Sequence, residues 1–124
     1  MTATTSQQEL VRFLEDRFAC AQACTECARA CALLVSASDS RGPHGRELVR
    51  RKAITCVEVC DATCRLLAEQ NRHDEAALRL QVEWCRAICL DCADVLDGHP
   101  GGEDVATACR DCADACALFV ATLS

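Results

Sequence analysis

Apolar side chains along this chain recur every three or four residues, with Asp, Glu, Arg, Thr and Gln between them, and no stretch alternates with a period of two. Three and four are the steps that return a side chain to the same face of an α-helix, so the pattern predicts helices and no strands. Four periodic segments cover about residues 6–37, 44–70, 74–97 and 102–123. The breaks between them carry turn chemistry: Ser38-Asp39-Ser40-Arg41-Gly42-Pro43, the surroundings of Asn71, and Asp97-Gly98 with Pro100 just beyond. Thr5, with Gln8 three residues on, reads as a capping box for the first helix, and Asp74 as the N-cap of the third. Long helices joined by short connections pack antiparallel to their chain neighbours. The expected fold is all-α, an antiparallel up-down-up-down four-helix bundle, formed by residues 1–124 as a single domain.

What occupies the inward stripes is unusual. They are filled by cysteine in four clusters: Cys20, Cys24, Cys27, Cys31; Cys56, Cys60, Cys64; Cys85, Cys89, Cys92; and Cys109, Cys112, Cys116. These are all 13 cysteines of the chain, and every gap within a cluster is three or four residues. At about 100° per residue each cluster falls within an arc of roughly 80° or less, so the expected core is lined with sulfur. In the antiparallel topology the clusters sort into layers. Cys31, Cys56, Cys92 and Cys109 are expected toward one end and Cys20, Cys64, Cys85 and Cys116 toward the other, with Cys24, Cys27, Cys60, Cys89 and Cys112 between. Beyond the sulfur, Phe13, Leu67, Leu78 and Val120 should close the end at the helix 2–3 turn, and Leu34, Val49, Leu96 and Val105 the other. These apolar layers should let the bundle fold without metal. Val11, Leu14 and Phe18 point away from the cysteine face and suggest self-association.

Composition narrows the chemistry. The only aromatics are Phe13, Phe18, Trp84 and Phe119, so large side chains do not fill the middle. A net charge of −6 argues against nucleic acid and anionic membranes as partners, and the uninterrupted apolar runs are shorter than a membrane span. Met1 to Arg17 carries charges and no apolar signal core, which places the protein in the cytoplasm. There thiols stay reduced, and dense cysteines are metal ligands more often than disulfides. The odd count of 13 agrees, as does the near-parallel direction of side chains on one helical face.

Soft thiolates select Cu(I), zinc or iron–sulfur clusters. Charge separates them. A monovalent ion with bridging sulfurs can approach one metal per thiolate and leave the interior neutral, whereas isolated zinc tetrathiolates each bury a surplus of negative charge. Zinc sharing sulfurs in a cluster stays open. Cys24 to Cys31 contains C-x2-C-x3-C but lacks the further cysteine and the proline of the ferredoxin run. The C-x2-C pairs Cys24/Cys27, Cys89/Cys92 and Cys109/Cys112 lie within helices with no strand before them, unlike thioredoxin-type motifs. No Ser/His/Asp set or phosphate loop is present, so the chain does not read as an enzyme. The chemistry indicated is storage of multiple Cu(I) ions; a copper carrier delivering to a partner and a zinc-thiolate buffering protein are the alternatives.

Over nearly its full length, helix-borne C-x2-C and C-x3-C clusters on all four helices make the chain similar to the four-helix-bundle copper storage proteins, specifically the cytosolic bacterial branch. The resemblance implies many Cu(I) ions along the bundle axis on all 13 cysteines, a homotetramer, and protection against copper toxicity. It also implies a mouth at one bundle end, Met-lined in exported members and His-lined in cytosolic ones. Met1 is the only methionine here, which leaves His44 and His99, expected in the helix 1–2 and helix 3–4 turns at a common end, while His73 lies at the opposite end.

Overall fold

The computed structural model describes residues 2–37, 44–69 and 74–123. They form four helices: α1, Thr2–Ala37; α2, His44–Ala68; α3, Glu75–Asp97; and α4, Glu103–Thr122. The helix-only expectation holds, and the boundaries fall close to those read from periodicity. One cap differs. Helix α1 runs back through Thr5 to Thr2, so Thr5 is a helical residue and not the start of a capping box. Asp74 caps α3 as expected, its carboxylate accepting from the Ala76 N–H at 3.0 Å. The stretches 38–43 and 70–73, with the predicted turns and His73, lie outside the described residues.

Helix α1 packs against α2 and α4 and α3 against the same two, while the diagonal helices α1 and α3 reach each other through the Cys24–Cys85 and Cys27–Cys89 sulfur pairs on the axis. The cross-helix sulfur pairs fix the directions. Cys20 meets Cys116 while Cys31 meets Cys109, so α1 and α4 are antiparallel. Cys56 meets Cys89 while Cys60 meets Cys85, so α2 and α3 are too. The bundle is the up-down-up-down arrangement.

Between α3 and α4 the chain turns on two glycines. His99 N–H donates to the Leu96 carbonyl and Gly102 N–H to the His99 carbonyl, each at 3.0 Å. Gly101 has φ +83°, a left-handed conformation that glycine adopts without steric cost. Gly102 starts α4 so close to α3 that a Cβ there would lie 2.7 Å from the Leu96 carbonyl oxygen.

Apolar layers close both ends. At the α2–α3 end Phe119 is fully buried with Leu67 and Leu123, and its ring packs on Phe13 at a centroid distance of 5.6 Å. Phe119, not the expected Val120, is the inward residue; Val120 is only partly buried. The spacing explains this: Cys109, Cys112, Cys116 and Phe119 continue a 3-4-3 stripe, and Val120 lies about 100° off Phe119. Arg17 fastens the same end, its Nε donating to the Leu67 carbonyl at 2.6 Å and its Nη2 to the Glu69 carbonyl. These are orphan acceptors at the C-terminus of α2, where a cation also suits the helix dipole. At the other end Val49 and Leu96 are buried with Leu34 and Val105 against them, as the stripes predicted.

Ser6–Ala37 of α1 is long enough to cross a membrane, and an 18-residue window within it is apolar enough, with mean hydropathy 1.3. Much of that apolarity comes from its cysteines, all four of which are buried against the other helices.

Candidate metal centre

Twelve of the thirteen cysteines are buried to 1% exposure or less, and none is in a disulfide. Their sulfurs form a continuous network. Cys27 approaches Cys56 and Cys109 at 3.6 Å and Cys89 at 3.9 Å. Cys60 approaches Cys89 at 3.5 Å, Cys85 at 3.8 Å and Cys56 at 3.9 Å. Cys24 lies 3.6 Å from Cys112 and 3.9 Å from Cys85.

Four tetrads have all their sulfurs within 4.8 Å of one another. They are Cys27/Cys31/Cys56/Cys109, Cys27/Cys56/Cys60/Cys89, Cys60/Cys85/Cys89/Cys112 and Cys24/Cys85/Cys112/Cys116. Taken in that order, successive tetrads share two sulfurs: Cys27 and Cys56, then Cys60 and Cys89, then Cys85 and Cys112. Two sulfurs bound to one soft ion at about 2.3 Å each lie roughly 4 to 4.6 Å apart, so these tetrads have the size of a thiolate site. The shared edges matter more. An array in which every tetrad lends half its sulfurs to a neighbour suits bridged metal–thiolate chemistry and not a set of isolated tetrathiolates. Cys20, 3.7 Å from Cys116, extends the array at one end, and Cys92 sits beside Cys31 and Cys109 at the other.

Cys64 departs from the expectation. It is partly exposed, belongs to no tetrad, and its Sγ lies 3.1 Å from Thr25 Oγ1. The residue that takes its inward place is Thr63, the one buried polar residue among those described. Thr63 Oγ1 donates to the Val59 carbonyl at 2.7 Å and accepts from Gln81 Nε2 at 3.0 Å. Both facts were available in the spacing. Clusters on α1, α3 and α4 mix steps of three and four and stay on the seam, whereas Cys56, Cys60 and Cys64 step four and four and drift by about 80°. The true inward series of α2 is Val49, Ala53, Cys56, Cys60, Thr63, Leu67.

Of the histidines, His99 is partly exposed in the α3–α4 turn and belongs to none of the tetrads. His44 is the first residue of α2, and its side chain is outside the described set.

Hydrogen bonding across the array divides the thiols. The Cys112 thiol holds Cys24 down at about 2, and the Cys109 thiol holds Cys56 at about 6. Cys27 and Cys85 are also pushed below the ordinary thiol range, by Cys109 and Cys112 respectively. Cys60, Cys109 and Cys112 are pushed up, first by their bonds to Cys112, Cys27 and Cys116 and then by burial. Each tetrad thus contains at least one thiol biased toward thiolate, the ligating form.

A closed helical bundle whose axis is an edge-sharing chain of sulfur tetrads is a soft-metal thiolate protein. A family model described as copper storage protein matches residues 6–121, and the chain belongs to that family. Solved structures agree. A Streptomyces lividans Ccsp variant with one histidine changed to alanine is 31% identical, with TM-score 0.61, covering 95% of this chain and 97% of that one. The same organism's copper storage protein Ccsp loaded with 10 copper equivalents is 31% identical at TM-score 0.59, covering 92% and 85%. A cytosolic copper storage protein of Streptomyces lividans with five coppers is 31% identical at TM-score 0.58, covering 95% and 97%. No curated protein sequence matches the chain.

Because copper must displace protons from thiols, binding weakens as pH falls. Cys56, held near 6, is thiolate above that pH and is reclaimed by protons below it. For an ion bound through the Cys56 thiolate, acidification from about pH 7.5 to 5.5 should weaken apparent Cu(I) affinity about fourfold, most of it below about pH 6.5. Competition titrations against a chelator of known pH dependence, run at both pH values, measure the change.

Proposed function

We propose that this protein stores many Cu(I) ions on its cysteines in the cytoplasm, binding them and catalysing nothing, with neither membrane nor nucleic acid as partner. The observation that carries the reading is the edge-sharing chain of four tetrads. The structures of the Streptomyces lividans protein with five and with 10 coppers support multinuclear loading. The twelve buried cysteines form the array and Cys64 is the thirteenth ligand at its edge. Enclosure favours storage over carriage, since a carrier exposes its few thiols to a partner. His44 and His99, at the α1–α2 and α3–α4 end, are the first contacts for incoming copper. Leu10, Val11, Leu14 and Phe18, all about half exposed or more along one side of α1, give the homotetramer an apolar contact surface. The chain 1–124 acts as one domain.

Anaerobic Cu(I) titration of reduced, metal-free protein against a competing chelator tests this. The expected endpoint is near or above the 13 thiols per chain. An endpoint of one or two ions overturns storage in favour of a carrier, and preference for zinc in the same competition overturns copper. Alanine at His44 and His99 together should slow uptake and leave the endpoint nearly unchanged.

A further inference from the structure

A store must exchange its cargo, and Cu(I) moves between thiolates only when an incoming sulfur reaches the metal before the outgoing one leaves. Twelve thiols cannot meet an incoming ligand in the closed bundle, because they are enclosed and both ends of the array carry apolar layers. Cys64 alone among the thirteen is partly exposed. Its 4-4 drift carries it to the seam between α1 and α2, yet it stays one helical turn from Cys60, with Cβ atoms about 5–6 Å apart. Cys60 is a corner of two tetrads and has three sulfur neighbours within 3.9 Å.

Thr25 on α1 holds Cys64 in this position. The single hydroxyl proton of Thr25 is committed to the Ala21 carbonyl at 2.9 Å, so the 3.1 Å contact runs from the Cys64 S–H to Thr25 Oγ1. The bond keeps Cys64 turned outward from the array. A change of χ1 rotamer breaks it and re-aims the sulfur.

We propose that Cys64 is the release thiol of the array, relaying Cu(I) from Cys60 to a thiolate ligand in solution, with Thr25 as the positioning residue that parks it. This rests on the storage reading. Cys64 gives its proton to solvent as its sulfur bonds the ion, and the bond from copper to the Cys60 sulfur breaks. The external thiolate then bonds copper, the bond to Cys64 breaks, and Cys64 regains a proton and its bond to Thr25. No electron is transferred and copper stays monovalent throughout. This exit lies on the α1–α2 side, remote from the His99 turn where copper enters.

The test is anaerobic stopped-flow transfer of Cu(I) from fully loaded protein to a chromophoric chelator, with a small thiol present. Cys64→Ser should slow transfer about tenfold or more while the loading endpoint falls by no more than one ion per chain. Thr25→Val, which frees the thiol, should speed transfer and raise the alkylation rate of Cys64 in the metal-free protein, with copper loading suppressing that alkylation. Transfer rates in Cys64→Ser equal to those of the unaltered protein overturn the proposal. So does slowing in the His44→Ala, His99→Ala double variant alone, which puts exchange at the histidine end. A wild-type endpoint of one or two ions instead overturns storage itself, so the two failures are distinguishable.

Discussion

Serine at both Cys27 and Cys60 should reduce the Cu(I) held per chain by about half, far more than the two sulfurs removed, because soft ions need the shared thiolates. Cys27 belongs to two tetrads, Cys60 to two, and together they belong to three of the four. Only Cys24/Cys85/Cys112/Cys116 contains neither. Removing a bridging sulfur therefore takes a ligand from two ions at once. The fold should tolerate the change: a buried serine on a helix can donate to the carbonyl four residues back, as Thr63 does to Val59. Unchanged helical circular dichroism of the metal-free variant checks that point, and the titration endpoint reads the capacity. A loss of only two ions would show that sulfurs bind independently and that the shared edges carry no metal.

The architecture was readable because helix period, turn residues and cysteine spacing all pointed the same way. Antiparallel order alone predicted that Cys20 would meet the α4 cysteine nearest the C-terminus and Cys31 the one nearest its start, and both pairs are in contact. What was less legible is the rotation of each helix within its stripe. A cluster arc of about 80° is narrow enough to assign a face and too wide to assign each member. Cys64 and Val120 both lie on the wide edge of such an arc, and both give their inward places to an adjacent residue, Thr63 and Phe119. Reading the 3-4 alternation through the apolar neighbours as well as the cysteines recovers both. The hydrogen bond from Gln81 to Thr63 carried no such signal, because it depends on how α2 and α3 are placed against each other. The capping box at Thr5 failed for a different reason: the residues before it, Thr2 to Thr4, continue the helix, so the cap is not at the position where the first polar signal stands.

Phe119→Ala should destabilise the metal-free protein by about 3–5 kcal/mol, the usual cost of emptying a buried aromatic site. The copper-loaded protein should lose far less. The two halves of this expectation follow from how the interior is built. Cysteine and alanine are small, so each layer of the array buries little apolar area and leaves fit to be decided by the metal. Cohesion in the metal-free state then falls to the ends, and Phe119 is the largest fully buried side chain there, its ring packed at a tilt on Phe13, beside Leu67 and the Arg17 clasp on α2. Ions held more tightly by the folded array, across all four helices, than by the thiols of the unfolded chain add stability through mass action and replace that lost end layer with cross-links. Thermal unfolding followed by circular dichroism, with and without stoichiometric Cu(I), measures both. Equal melting of variant and unaltered protein in the metal-free state would remove the end layers from this account. A metal-free parent protein that is already unfolded would do the same, and would make copper part of the fold as well as its cargo.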